Sequence, residues 1–126
     1  MASRLIRQTG KNHMQLQDIA IPMKDLVTVK PNEMLNTLAP PTTETVGCFI
    51  VKDTGNILGI LTDGDLRRAL SANQSGTLAV EHAMTRSPIS MPEHTDLPGA
   101  FTLMTRKNIN HLLVRDRLGQ ETGIVS

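Results

Sequence analysis

Thr62, Asp63, Gly64, Asp65, Arg67 and Arg68 crowd into one short run, GILTDGDLRRAL (Gly59 to Leu70). Their types and spacing allow three chemistries. In the first, a hydroxyl followed three residues later by a carboxylate has the spacing of a capping box. Thr62 and Asp65 would then satisfy two free backbone N–H groups at a helix start. Asp63 and Asp65 also suit the positive end of the helix dipole, and such a cap contributes about 1 kcal/mol. In the second, the run is a cradle for an anion. Arginines at positions 67 and 68 would face the positive end of the dipole at a cost of about 0.3–1 kcal/mol each, which a cap does not explain. Gly64 weakens the same turn unless the backbone must approach something closely. Free N–H groups, a glycine and nearby arginines make a phosphate site, with Asp65 accepting from sugar hydroxyls and Thr62 bonding either group.

The third chemistry is catalysis, with Asp63 and Asp65 holding Mg²⁺ or exchanging protons. No third ligand lies nearby in the sequence. His13, His82, His94 and His111 show no metal-ligand spacing with one another, and the chain has neither a nucleophile elbow nor a P-loop. The chain is therefore read as non-catalytic and in need of no cofactor. Cap and cradle both stand.

Positioning this run requires a folded domain, and the composition permits one. The 126 residues are about two fifths apolar and one fifth charged, as in an ordinary soluble protein. With two Phe and no Trp or Tyr, the core must come from Leu, Ile, Val, Ala and the seven Met. A formal charge of +1 and the lack of aromatic stacking platforms argue against nucleic acid as a partner. The single cysteine, Cys48, excludes an internal disulfide; it lies in an apolar run and reads as a small core residue. No apolar run reaches the length of a membrane span, and the opening MASRLIRQTGKNHMQLQ lacks the apolar core of a signal peptide. The cytoplasm is the expected location, with no membrane partner.

The apolar runs Val46–Val51 and Asn56–Thr62 flank Asp53-Thr54-Gly55, a hairpin signal. The pattern recurs in His111–Asp116 and Thr122–Ser126 around a loop containing Gly119. Upstream, Met23–Pro31 aligns without a gap with Met84–Pro92. The chain thus reads as an arm or linker over residues 1–15, a first unit over 16–76 and a second over 77–126. Each unit runs strand, helix, two strands, helix. In the second, Leu97, Ala100, Phe101 and Met104 make one apolar helix face, with Thr95 or Asp96 as cap and Pro98 in the first turn. In the first, Pro40-Pro41 stops the corresponding helix after Met34, Leu35 and Leu38.

Two such units, with a strand running into G-I-x-T-x-x-D, resemble the paired CBS domains of a Bateman module. The resemblance covers the chain from about Leu16 onward. GILTDGDLRRAL is similar to the first CBS domain at the C-terminal end of arabinose-5-phosphate isomerase-type sugar-phosphate isomerases. The stretch from Val80 to Asp116 fits their second CBS domain. A CBS segment on some nucleotidyltransferases carries a similar TDGD run. The resemblance implies an α+β fold of two CBS-type β-α-β-β-α units about a pseudo-twofold axis, and a homodimer. It implies a regulatory module whose sugar-phosphate isomerase domain is absent from this chain, attached elsewhere or a partner.

The resemblance also implies a ligand, AMP, ADP or ATP or a sugar nucleotide, in the cleft between the units. On this sequence the family's contacts fall on Thr62 and Asp65, with Asp63, Arg67 and Arg68 beside them. The base pocket falls on Val27, Thr28 and Val29 with Gly47 and Cys48, and in the second copy on Ile89 and Ser90 with Asn110 and His111. For His111 the plainer reading is a half-buried strand residue. The second copy stops at Ser126, the counterpart of Thr62, so its final helix is missing and an exposed apolar patch is expected there unless a partner covers it. The alternative function is an assembly module that binds nothing, in which Thr62 and Asp65 only cap a helix. The remaining alternative, a small Mg²⁺-dependent enzyme, would lose turnover on Asp63→Asn or Asp65→Asn.

Overall fold

The computed structural model describes residues 14–38 and 47–126. They form two compact units, one holding the described residues up to Lys24 with Ile89–Ser126, the other holding Asp25–Pro88. The architecture is α+β, a four-stranded sheet in each unit with helices packed on it.

In the Asp25–Pro88 unit the strands β2 (Val27–Val29), β3 (Cys48–Asp53), β4 (Asn56–Thr62) and β5 (Thr85–Arg86) lie side by side in that order. β2 and β3 are parallel, and the other pairs antiparallel. The β3–β4 connection is a two-residue hairpin whose Thr54 and Gly55 both have positive φ (49° and 86°), the twist that matches flanking strands. Cys48, Phe49, Ile50 and Val51 are all buried, so both faces of β3 are covered, as a continuous apolar run implies. β4 runs directly into α2 (Asp63–Ala72), which lays Leu66, Ala69 and Leu70 against Val29, Phe49, Val51 and Leu61.

The other unit repeats the plan with β1 (Ile21–Pro22), β8 (Glu121–Val125), β7 (Leu112–Arg115) and β6 (Ser90–Pro92). Its long helix is α3 (Leu97–Lys107), capped by Asp96, whose carboxylate accepts from the Gly99 N–H, and closed by Asn108 in the left-handed region. Asp96 thus takes the role that the sequence offered to it or to Thr95. A one-turn helix α1 (Leu16–Ile19) donates its Leu16 and Gln17 N–H groups to the carbonyls of Thr95 and Glu93. Met14 and Gln15, assigned on sequence to the arm, are bonded into this unit: the Leu97 N–H donates to the Met14 carbonyl and Gln15 bridges Asp96. Residues 1–13 of that arm, and Pro40-Pro41, lie outside the described residues.

Three sequence expectations are corrected. Each repeat holds an edge strand that the order strand, helix, two strands, helix lacks, ahead of the expected strands β2 and β6, and it joins the sheet of the other repeat: β1 pairs with β8 and β5 with β4. The gapless alignment of Met23–Pro31 with Met84–Pro92 also fails. Gly59 and Gly123 face Val51 and Val114 at equivalent places in the two hairpins, so the edge-strand pairing matches Pro22 to Arg86. One strand further on, it matches Val29 to Met91. The connections between these strands differ in length, a 3₁₀ turn at Met23–Asp25 against a bend at Ser87, and the repeats slip past each other there. Both glycines are required by the edge strand, because a Cβ at Gly59 would collide with the Thr85 carbonyl and one at Gly123 with the Ile21 carbonyl.

The third correction concerns the apolar patch. Leu112, Leu113, Val114, Ile124 and Val125 are at most 3% exposed. The eleven-residue α3, with Ala100 and Met104 buried, packs on Leu112, Val114 and Val125. In the first repeat the corresponding segment yields only the 3₁₀ turn Leu35–Thr37 among the described residues, and α2 supplies the helical cover instead.

Candidate functional site

The end of β4 builds the site. Thr62 keeps extended geometry (φ −87°, ψ 165°) while its carbonyl already belongs to the helix, the conformation of an N-cap. The Asp65 N–H donates to Thr62 Oγ1 at 3.1 Å, and the Thr62 N–H donates back to Asp65 Oδ2 at 3.1 Å. The capping box is therefore complete, with Asp in the place more often held by Glu or Gln.

Asp65 does more than cap. It is 7% exposed, and burial of a carboxylate is tolerated only when its oxygens are hydrogen-bonded. Thr85 Oγ1, on β5, donates to Asp65 Oδ2 at 3.0 Å. Arg68 Nη2 donates to Oδ1 at 2.7 Å from a side chain that is 74% exposed. The ion pair gives Arg68 a partner that the cap alone did not: a carboxylate one turn back offsets part of the unfavourable dipole end. A Cβ at Gly64 would stand 3.3 Å from Arg68 Nη1, so the guanidinium lies over the first turn. Arg67 is exposed and makes no hydrogen bond or ion pair with a described residue.

Gly47 and Cys48 lie beside the helix start. The Asp63 N–H donates to the Gly47 carbonyl at 2.9 Å. Gly47 has φ +68°, a conformation that favours glycine, and a Cβ there would come within 2.7 Å of Asp63 Oδ2. Cys48 pairs with Thr62 across the hairpin and is 1% exposed. Burial pushes its thiol up to about 12, with the Asp63 and Asp65 charges adding to the effect. It is a neutral core thiol, not a nucleophile.

Val27 and Thr28, on the exposed edge strand β2, pair with Phe49 and Ile50. The fold thus brings Val27, Thr28, Gly47, Cys48, Thr62, Asp63 and Asp65 to one end of one sheet. Ser90 and His111 belong to the other unit. Register places Ser90 at the counterpart of Thr28, and its carbonyl and Oγ both accept from Arg115 Nη1 at 2.8 Å. His111 is half-buried immediately before β7. Ile21 takes the register position of Thr85, so that unit has no hydroxyl there.

Thr85 is the residue that the sequence did not reveal. It lies twenty positions beyond Asp65, in what reads as the start of the second repeat. Among the described residues no group of three or more His, Cys, Asp or Glu is placed to hold a metal ion, and no helix is long and apolar enough to cross a membrane.

A family model described as the CBS domain matches residues 16–72 and again 80–126. Arabinose 5-phosphate isomerase KpsF of Escherichia coli is 38% identical over 81 residues, 63% of this chain and 25% of the relative. Arabinose 5-phosphate isomerase KdsD of Yersinia pestis is 31% identical over 106 residues, 82% of this chain and 32% of the relative. The chain therefore spans a quarter to a third of the length of these curated relatives. CBSX2, a CBS-pair protein of Arabidopsis thaliana solved in complex with AMP, is 26% identical. It superposes with a TM-score of 0.66 over 89% of both chains. An uncharacterised conserved protein of Pyrococcus horikoshii, also 26% identical, gives 0.73 over 89% of this chain and 85% of its own. The chain belongs to the CBS domain family, as a pair of such domains.

Proposed function

We propose that the chain is a regulatory CBS pair that binds a phosphate-bearing metabolite, an adenine nucleotide or a sugar nucleotide, at the sheet end formed by Gly47, Cys48, Thr62 and Asp65. Val27 and Thr28 would border the base, and Asp65 would accept from the sugar hydroxyls. Ser90 and His111 are the counterparts proposed in the other unit. The ligand's preference for one conformation would adjust the activity of a sugar-phosphate isomerase domain in the cytoplasm, attached or partnered, by a coupling of about 1–3 kcal/mol. The module itself performs no reaction, and it works as a homodimer.

The observation that carries this reading is the buried Asp65 carboxylate, held in place at the sheet end where the other residues converge. The complex of CBSX2 with AMP supports AMP as the first ligand to try.

A second reading, an assembly module that binds no ligand, is favoured by one observation: Thr62, Thr85 and Arg68 already supply Asp65 with hydrogen bonds from within the chain. Thermal unfolding of the full chain with AMP, ADP, ATP and a set of sugar nucleotides separates the two. A ligand at a hundred times its Kd adds about 2.7 kcal/mol, a rise of several degrees in Tm. A rise that Asp65→Ala abolishes supports the regulatory reading. A flat response across the panel, with Asp65→Ala only lowering Tm, leaves the assembly module.

A further inference from the structure

The two oxygens of Asp65 do different work. Oδ2 accepts from the Thr62 N–H and the Thr85 hydroxyl, both fixed by the fold. Oδ1 accepts from Arg68, whose side chain is 74% exposed and whose guanidinium covers Gly64 at the helix start. One oxygen is structural and the other is held by a group free to leave.

We propose that Arg68 is the residue by which this site selects phosphorylated ligands: its guanidinium holds the Asp65 oxygen not tied to Thr62 and Thr85, and gives it up more readily to a phosphate than to an uncharged nucleoside. The proposal rests on the nucleotide reading above. An exposed ion pair is worth little in water, so the Arg68–Asp65 contact is easily exchanged. A phosphate offers the guanidinium a planar, bidentate replacement. An uncharged nucleoside offers none and must leave the displaced cation to solvent. When Arg68 moves, Oδ2 stays tied to Thr62 and Thr85, so the carboxylate keeps its orientation for the sugar. Without the cation, Asp63 and Asp65 would face the incoming phosphate uncompensated, which makes the arginine necessary for the anion and an obstacle to the nucleoside.

Calorimetric titration of the full chain with AMP and with adenosine, for wild type, Arg68→Gln and Arg68→Lys, tests this. Arg68→Gln is expected to bind AMP about tenfold more weakly, the loss of a charge-assisted contact. The same variant is expected to bind adenosine more tightly, by up to about fivefold, because the competing ion pair is gone. Arg68→Lys should keep part of the AMP preference. The opposite signs are the signature, since a residue that only supports the fold would move both affinities the same way. If wild type binds AMP and Arg68→Gln leaves the AMP-to-adenosine ratio unchanged, the role of Arg68 is refuted while the site stands. If wild type binds neither, the nucleotide reading falls and this one with it.

Discussion

The Thr85 hydroxyl donates to Asp65 Oδ2 across 3.0 Å and so ties the edge strand β5 to the first turn of α2. The same oxygen accepts the Thr62 N–H. One buried carboxylate thereby fixes a strand end, a helix start and a neighbouring strand, and any ligand that drew on Asp65 would act on all three.

Removing the hydroxyl without changing the shape of the side chain isolates the tie. Thr85→Val should lower stability by about 1 kcal/mol, the net worth of one intramolecular hydrogen bond. Urea denaturation followed by circular dichroism measures it. An unchanged midpoint would mean that β5 is held by its backbone pairing alone.

Two glycines should respond unequally to the same substitution. Gly59→Ala drives a methyl into the Thr85 carbonyl, which is backbone and cannot turn aside. Overpacking of this kind costs about 1–3 kcal/mol. Gly64→Ala meets only the flexible end of Arg68, and stays within about 0.5 kcal/mol of wild type, as surface changes do. Equal losses at both positions would contradict the account of the edge strand.

Cys48 gives a pH dependence with a definite sign. Its folded value is raised from 9.0 to about 12, so the native state keeps a proton that the unfolded chain loses. Stability then falls as pH rises through this window, by at most about 1.4 kcal/mol per pH unit. The fall should be shallower in Cys48→Ala, which removes the titrating group. Identical slopes in the two proteins between pH 9 and 11 would refute the burial argument, as would rapid alkylation of native Cys48 at pH 8.

What could be read from the sequence was local. The capping box spans four residues and each hairpin a handful, so Thr62, Asp65 and the Thr54-Gly55 turn were visible as patterns. The Arg68–Asp65 pair is equally local, yet the sequence presented Arg68 first as a cation at the wrong end of a helix dipole. Only the side-chain positions show that it pairs with the nearby carboxylate. Thr85 was hidden for a topological reason. Its segment reads as part of the second repeat, ahead of that repeat's first expected strand, but closes the first sheet through only two paired residues. The slip between Met23–Pro31 and Met84–Pro92 concealed that Ile21 is its counterpart, and with it the inequality of the two units at this position.

The most direct test of a ligand site at Asp65 is calorimetric titration of AMP into the full chain and into Asp65→Asn, with unfolding curves confirming that both are folded. Asparagine retains an acceptor for Thr62 and Thr85 but carries no charge for Arg68 and cannot accept at both positions. Wild type should bind AMP, and Asp65→Asn should bind it about tenfold or more weakly, the loss expected for hydrogen bonds to a charged group. Equal affinity in the two proteins, or no binding by wild type, would contradict a site at Asp65 and leave a carboxylate that holds the fold together and does nothing else.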